Sequence, residues 1–238
     1  MENKEFVIEN GLLTEYNGQA ETVVIPDGVT AIDDVAFFDA TFKKLIIPEG
    51  VKTIAELAFN HCENLEEVTL PSTLESWDRA FYECEKLEKV VLAEGLKAVP
   101  EGAFWFCGKL KSINLPQSIK RIEGFAFANC FALEDIKLPE GLEYIGECAL
   151  ECLSLKSVII PAAVTEIGDN AFSGCDKLTE AVIPLSVQKM GGSVFFGTGD
   201  IVVHCAAEKK PVGWDKNWDK WKGLIFTKRL KTVWGFKG

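Results

Sequence analysis

The chain has 238 residues, 47% of them hydrophobic and 26% charged, a composition that excludes disordered and fibrous classes. Eight cysteines are too few for a disulfide scaffold, no apolar stretch approaches the roughly 18 residues of a membrane span, and MENKEFVIENG lacks the basic-then-apolar order of a secretory signal. A net charge of −11 argues against a nucleic-acid partner, which demands a basic footprint.

In chain order, FVIENGLLTEYNG comes first, with two short apolar runs around Asn10-Gly11. That dipeptide is a tight-turn signal and predicts a hairpin cap within residues 1–20. From 21 to 200 a repeat takes over. Pro26, Pro48, Pro71, Pro116, Pro139, Pro161 and Pro184 recur at 22 or 23 residues, with one gap of 45 that Ala93 divides. Eight copies follow at a mean step of about 22.6, the first, third and sixth being one residue short. Around the prolines the text is nearly constant, as in LIIPEGVKTI, VTLPSTLESW, INLPQSIKRI and IKLPEGLEYI. AFNHC, AFYEC, AFWFC and AFANC follow at the same step, each with a leucine three residues after its cysteine.

Each copy reads as one coil of a solenoid. In Leu65, Val68 and Leu70 the last two share one face of a short strand, which Pro71 then ends because it has no N–H for the ladder. The AF segment is expected to form the opposite wall as a helical or 3₁₀ turn with its aromatic inward. Phe37, Phe59, Phe81, Phe104, Phe127, Leu150, Phe172 and Phe195 then stack as a spine. One coil cannot bury both its faces, so stability must come from stacked neighbours. Eight coils at the strand spacing span roughly 35–40 Å.

The pattern L-x-x-[IV]-x-[IL]-P-x-[GS]-[VLI]-x-x-I with AF-x-x-C resembles the BspA-type leucine-rich repeats of bacterial and protozoan proteins, over about residues 5–221. The resemblance implies a single leucine-rich-repeat solenoid, with short parallel strands on a concave face. Departures are Ala93 for a proline and Ala40 and Thr198 for cysteines. Some proteins of this type act at the cell surface in adhesion to host matrix proteins such as fibronectin and fibrinogen, which makes an adhesin an alternative function here.

Cys62, Cys84, Cys107, Cys130, Cys152 and Cys175 recur at the step of the repeat, so they form one column of the ladder. Stacked in register, their Cβ atoms lie about 4.8 Å apart with parallel vectors, wider than a disulfide accepts. Buried, reduced, core-filling thiols are the expectation, for Cys148 as well. His61-Cys62 and His204-Cys205 are separated by some six coils and copy no zinc spacing, so no metal and no cofactor is expected. There is no GxSxG elbow, no phosphate loop and no clustered acidic pair, so no catalytic residue is expected. The many Asp and Glu residues read as a solvated face.

The outward position between the two inward strand residues gives the column Val24, Ile46, Thr69, Val91, Asn114, Lys137, Ile159 and Val182. Ile46, Thr69, Val91, Asn114, Lys137 and Ile159 are the candidate binding residues of the concave face. β-Propensity alone also accounts for valine and isoleucine at such positions. The next column contains Lys44, Glu67 and Lys89, whose alternating signs set register.

The tail differs from the rest. Residues 1–205 hold 16 Lys/Arg and 33 Asp/Glu, a balance of −17, whereas 206–238 hold 9 and 3, a balance of +6, with four of the six tryptophans. GWDKNWDKW superficially resembles Gly-Trp carbohydrate- or choline-binding repeats. The other expectation is a C-terminal cap over 201–238, opened by a ninth strand near 201–205. In that cap Trp214 and Trp218 share a helical face over the open end of the core.

The expected function is a non-catalytic, rigid curved surface that binds another protein. No nucleic acid and no membrane insertion are expected, and carbohydrate stands as the less favoured ligand. A free-thiol ladder suits a reducing compartment, so a cytoplasmic location is expected, with bacterial cell surface or secreted as the alternative.

Overall fold

The computed structural model describes residues 5–60, 62–222 and 228–237. Each repeat forms one coil with three walls, and stacking in register turns each wall into a ladder. The first wall is the strand face. Its coils 1 to 6 contribute one parallel six-stranded sheet, from Thr22–Val24 through Lys44–Ile46, Glu67–Leu70, Lys89–Leu92 and Ser112–Asn114 to Asp135–Lys137. Coils 7 and 8 contribute Ser157–Ile159 and Glu180–Ile183 to a four-stranded sheet, which Val202–Cys205 and Lys231–Trp234 extend. Proline ends most of these strands, and the turn behind it closes tightly. In coil 1 the Val29 N–H reaches the Pro26 carbonyl at 3.4 Å while Gly28 takes φ +90°, a value open to glycine.

The second wall is a ladder of two-residue strands that the sequence reading did not anticipate. Ala31–Ile32 and Thr53–Ile54 join the N-terminal hairpin of Phe6–Glu9 and Leu12–Tyr16, whose turn uses Asn10 and Gly11 at positive φ. Ala98–Val99, Arg121–Ile122, Tyr144–Ile145, Glu166–Ile167 and Lys189–Met190 form a separate sheet. Between the two, Ser76 bridges back to Thr53 alone. The interruption falls where Trp77 fills the inward slot that Ile54 and Val99 occupy in neighbouring coils, a much larger side chain in the same space.

The third wall carries turns, and no helix or 3₁₀ segment occurs among the described residues. Two left-handed residues in most coils account for this: Arg79 and Glu83 in coil 3, Gly102 and Phe106 in coil 4, Phe125 and Asn129 in coil 5. A residue at positive φ terminates a right-handed helix. The amides between them alternate in direction. Tyr82 N–H bonds back to Arg79 within its coil at 3.2 Å, whereas Phe81 N–H crosses to the Ala103 carbonyl of the next coil at 3.2 Å. The turns are therefore also a hydrogen-bonded ladder.

Inside lies the aromatic spine. Phe59 and Phe81 are parallel with centroids 4.9 Å apart, and Phe81–Phe104, Phe104–Phe127 and Phe172–Phe195 continue the stack at 5.8, 5.6 and 5.5 Å. Leu150 interrupts it between Phe127 and Phe172. Full burial of each ring contributes about 1.5–3 kcal/mol, and each aromatic pair adds about 0.5–1.5 kcal/mol.

Candidate functional site

All eight cysteines are free thiols, seven of them buried and Cys148 half-buried. The column has a hydrogen-bonding role beyond filling space. Cys84, Cys107, Cys130, Cys152 and Cys175 each donate Sγ–H to the spine-residue carbonyl of the preceding coil, at 3.2–3.3 Å, and Cys62 does so to Phe37 at 3.8 Å. In coil 8 Thr198 stands in the cysteine position and donates to Phe195 of its own coil at 2.8 Å. Burial pushes the Cys62 and Cys175 thiols up to about 12, and raises those of Cys84, Cys107 and Cys152 well above their ordinary value. These groups are not nucleophiles at neutral pH. Among the described residues no group of three or more His, Cys, Asp or Glu could hold a metal ion. His61, half of one histidine–cysteine pair, lies outside the described residues.

The outward column of the strand face is laid out by strand register. Val24, Ile46, Thr69, Val91, Asn114 and Lys137 stand side by side on the six-stranded sheet. Ile159 starts the other sheet, where the column runs on through Val182, His204 and Val233. The structure thus brings five of the six candidate binding residues onto one sheet and places Ile159 on another. Val24 is 53% exposed, Val91 41% and Ile159 76%, while Asn114 and Lys137 are the exposed polar members. Beside this column Glu67 takes ion pairs from Lys44 at 3.3 Å and Lys89 at 2.5 Å. Their hydrogen bonds, that from Lys89 foremost, hold the Glu67 carboxyl below its ordinary range. His204 Nε2 lies 3.1 Å from Glu180, and the imidazole packs on Phe236 at 4.6 Å.

Trp214 and Trp218 do not share a helix. Trp214 bridges to Met190, donates Nε1–H to the Val187 carbonyl at 3.0 Å, and lies 5.0 Å from Trp218, which sits in the following turn. They are 3% and 2% exposed, so neither ring offers a face for stacking on a sugar. Trp234, at the end of the tenth face strand, packs 5.9 and 6.1 Å from them.

The sequence reading passed over the turn wall. Val35, Phe38, Leu57, Phe131, Leu153 and Phe196 are exposed there, and Trp105 stacks between Phe106 and Phe125 at 5.6 and 5.0 Å. For Phe38, Trp105 and Phe106 the signal was present in the aromatic letters that follow AF in AFF and AFWF.

The pattern of the BspA type Leucine rich repeat region matches residues 15–130 and 77–202, in six copies. A comparison with the curated proteins returned no match. Among solved structures, a leucine-rich repeat protein from Bacteroides ovatus is similar with 32% identity and a TM-score of 0.63, covering 76% of this chain and 54% of that one. The chain therefore spans about half the length of that relative. A leucine-rich repeat protein from T. pallidum shows 28% identity and a TM-score of 0.59, covering 83% and 88%. A leucine rich cell surface protein from Faecalibacterium prausnitzii, at 22% identity and a TM-score of 0.63 over 84% and 68%, shares the fold. Among the described residues no helix is long and apolar enough to cross a membrane.

Proposed function

This chain belongs to the BspA-type leucine-rich repeat family, whose fold is typically non-catalytic, and we propose that it binds a protein partner through its strand face. One observation carries the reading: the outward column keeps Val24, Ile46, Val91 and Ile159 open to solvent on hydrogen-bonded strands that hold their spacing fixed. Val24 stands beside Ile46, and Val91 follows one strand beyond Thr69, so one partner surface can cover these apolar side chains together. A partner that covers this row removes apolar area from water without ordering any new backbone on this side, so little conformational entropy opposes docking. The rigid frame also presents Asn114 and Lys137 in the middle of the row, where they give polar specificity.

The test is affinity capture from the source organism with the wild type and with Ile46→Glu/Val91→Glu. A partner held by the wild type and released by the double variant supports the reading. The same partners in both samples overturn it. A ladder of thiols also suits a reducing compartment, which is the location proposed for the working protein. Alkylation in intact cells followed by a thiol count on the purified chain tests that, since pre-formed disulfides would place the chain outside.

A further inference from the structure

The strand-face ladder is interrupted between coils 6 and 7, and we propose that the cavity opening there holds an apolar side chain of a partner segment flanked by lysine or arginine. This rests on the reading of the strand face as a binding surface and names the chemistry of its anchor point. Asp135–Lys137 and Ser157–Ile159 are neighbours in the stack but belong to different sheets. A cavity of about 490 Å³ lies at the interruption, lined by Leu138, Ile160, Pro161 and Pro184 among others. Ile159 lines it too, and at 76% it is the most exposed apolar member of the column; Leu185, next to Pro184, is 72% exposed. The most exposed apolar side chain of the column thus borders an indentation lined mainly by apolar residues, the form of a pocket for a hydrophobic anchor.

Charge selects the flanks. Asp135 and Glu140 also line the cavity, and neither has an ion pair among the described residues, whereas nearby Glu134 pairs with Lys156 and Glu143 with Lys120. Lys137 is the one cation among the described lining residues, and the repeats as a whole are strongly acidic. Two carboxylates without an ion pair, against one lysine, leave the lining of the slot net acidic and favour a basic–apolar–basic segment over an acidic one.

The probe is the capped tripeptide acetyl-Lys-Phe-Lys-amide, titrated into the isotope-labelled full chain and followed by backbone amide resonances. Acetyl-Glu-Phe-Glu-amide and acetyl-Lys-Ala-Lys-amide are the controls. Expected are saturable shifts confined to residues 135–140, 157–162 and 184–185 with the first peptide, and several-fold weaker binding of both controls. Asp135→Asn/Glu140→Gln, two exposed positions whose replacement leaves the fold intact, should weaken the first peptide several-fold and remove its salt dependence. Absence of saturable shifts at these residues overturns the proposal, as does equal binding of either control. Because Ile46 and Val91 lie on coils 2 and 4, the capture experiment and this titration can fail independently.

Discussion

The Cys107 thiol donates to the carbonyl oxygen of Phe81, one coil earlier, across 3.3 Å. The same oxygen already accepts the Cys84 amide at 3.2 Å, and the carbonyls of Phe37, Phe59, Phe104 and Phe127 are likewise tied both within their coil and to the next one. Cys107→Ala removes one of those ties and leaves the other. The expected cost is about 1–2 kcal/mol in urea unfolding, from a weak buried hydrogen bond and a small cavity. A neutral result would reduce the column to plain filler.

Alkali should unfold the protein through these thiols. Burial raises every cysteine above its ordinary value of 9.0, with Cys62, Cys148, Cys175 and Cys205 reaching about 12. The unfolded chain loses its thiol protons first, so above pH 9 it binds fewer protons than the fold. Stability is therefore fully present below about pH 9 and falls as pH rises from 9 toward 12. Denaturant midpoints measured across that range should drop steeply, and less so in Cys107→Ala. At pH 7 a thiol reagent should leave the buried seven unmodified in the folded chain and react with all eight after unfolding.

Leu57 sits on the turn wall at φ +62°, exposed, where equivalent positions carry Gly102 and Asn170. A branched side chain in the left-handed region costs about 1–2 kcal/mol, and asparagine tolerates that region better. Leu57→Asn should accordingly raise stability by about 0.5–1 kcal/mol, read from thermal or urea unfolding. A loss instead would mean that the exposed leucine packs on its neighbours more than its surface area suggests.

Adjacent isoleucines of coil 2 face opposite ways, Ile46 outward and Ile47 2% exposed inside the core. Ile46→Glu should change stability by no more than about 0.5 kcal/mol, whereas Ile47→Glu buries a charge and should cost more than about 4 kcal/mol. Circular dichroism with urea titration distinguishes the two. Equal damage from both would contradict the register of the strand face.

What could be read from the text was whatever recurs in the text. Proline, the AF pair and the cysteine column sit at fixed offsets because each fills a repeated slot, and from them follow the face strands and the spine. The second ladder escaped notice because each strand offers one inward residue over two positions, such as Ile122 and Ile145, too short for an alternation to show. The left-handed turn positions escaped for a different reason. Leu57, Arg79, Phe125, Cys148 and Ser193 share a backbone conformation and no side-chain chemistry, because the next coil's carbonyls satisfy most of their amides. The interruption before Ser157 is equally silent, since VIIP reads like any other copy.

The two interruptions fall at different heights, which has a mechanical meaning. Where the second ladder stops, between Ser76 and Ala98, the face strands Glu67–Leu70 and Lys89–Leu92 are paired along four positions. Where the face ladder stops, after Lys137, the two-residue strands run unbroken from Ala98 to Met190. Tension along the axis therefore always finds one wall of parallel strands to carry it. Because the two breaks never coincide, no plane across the axis cuts both strand ladders at once.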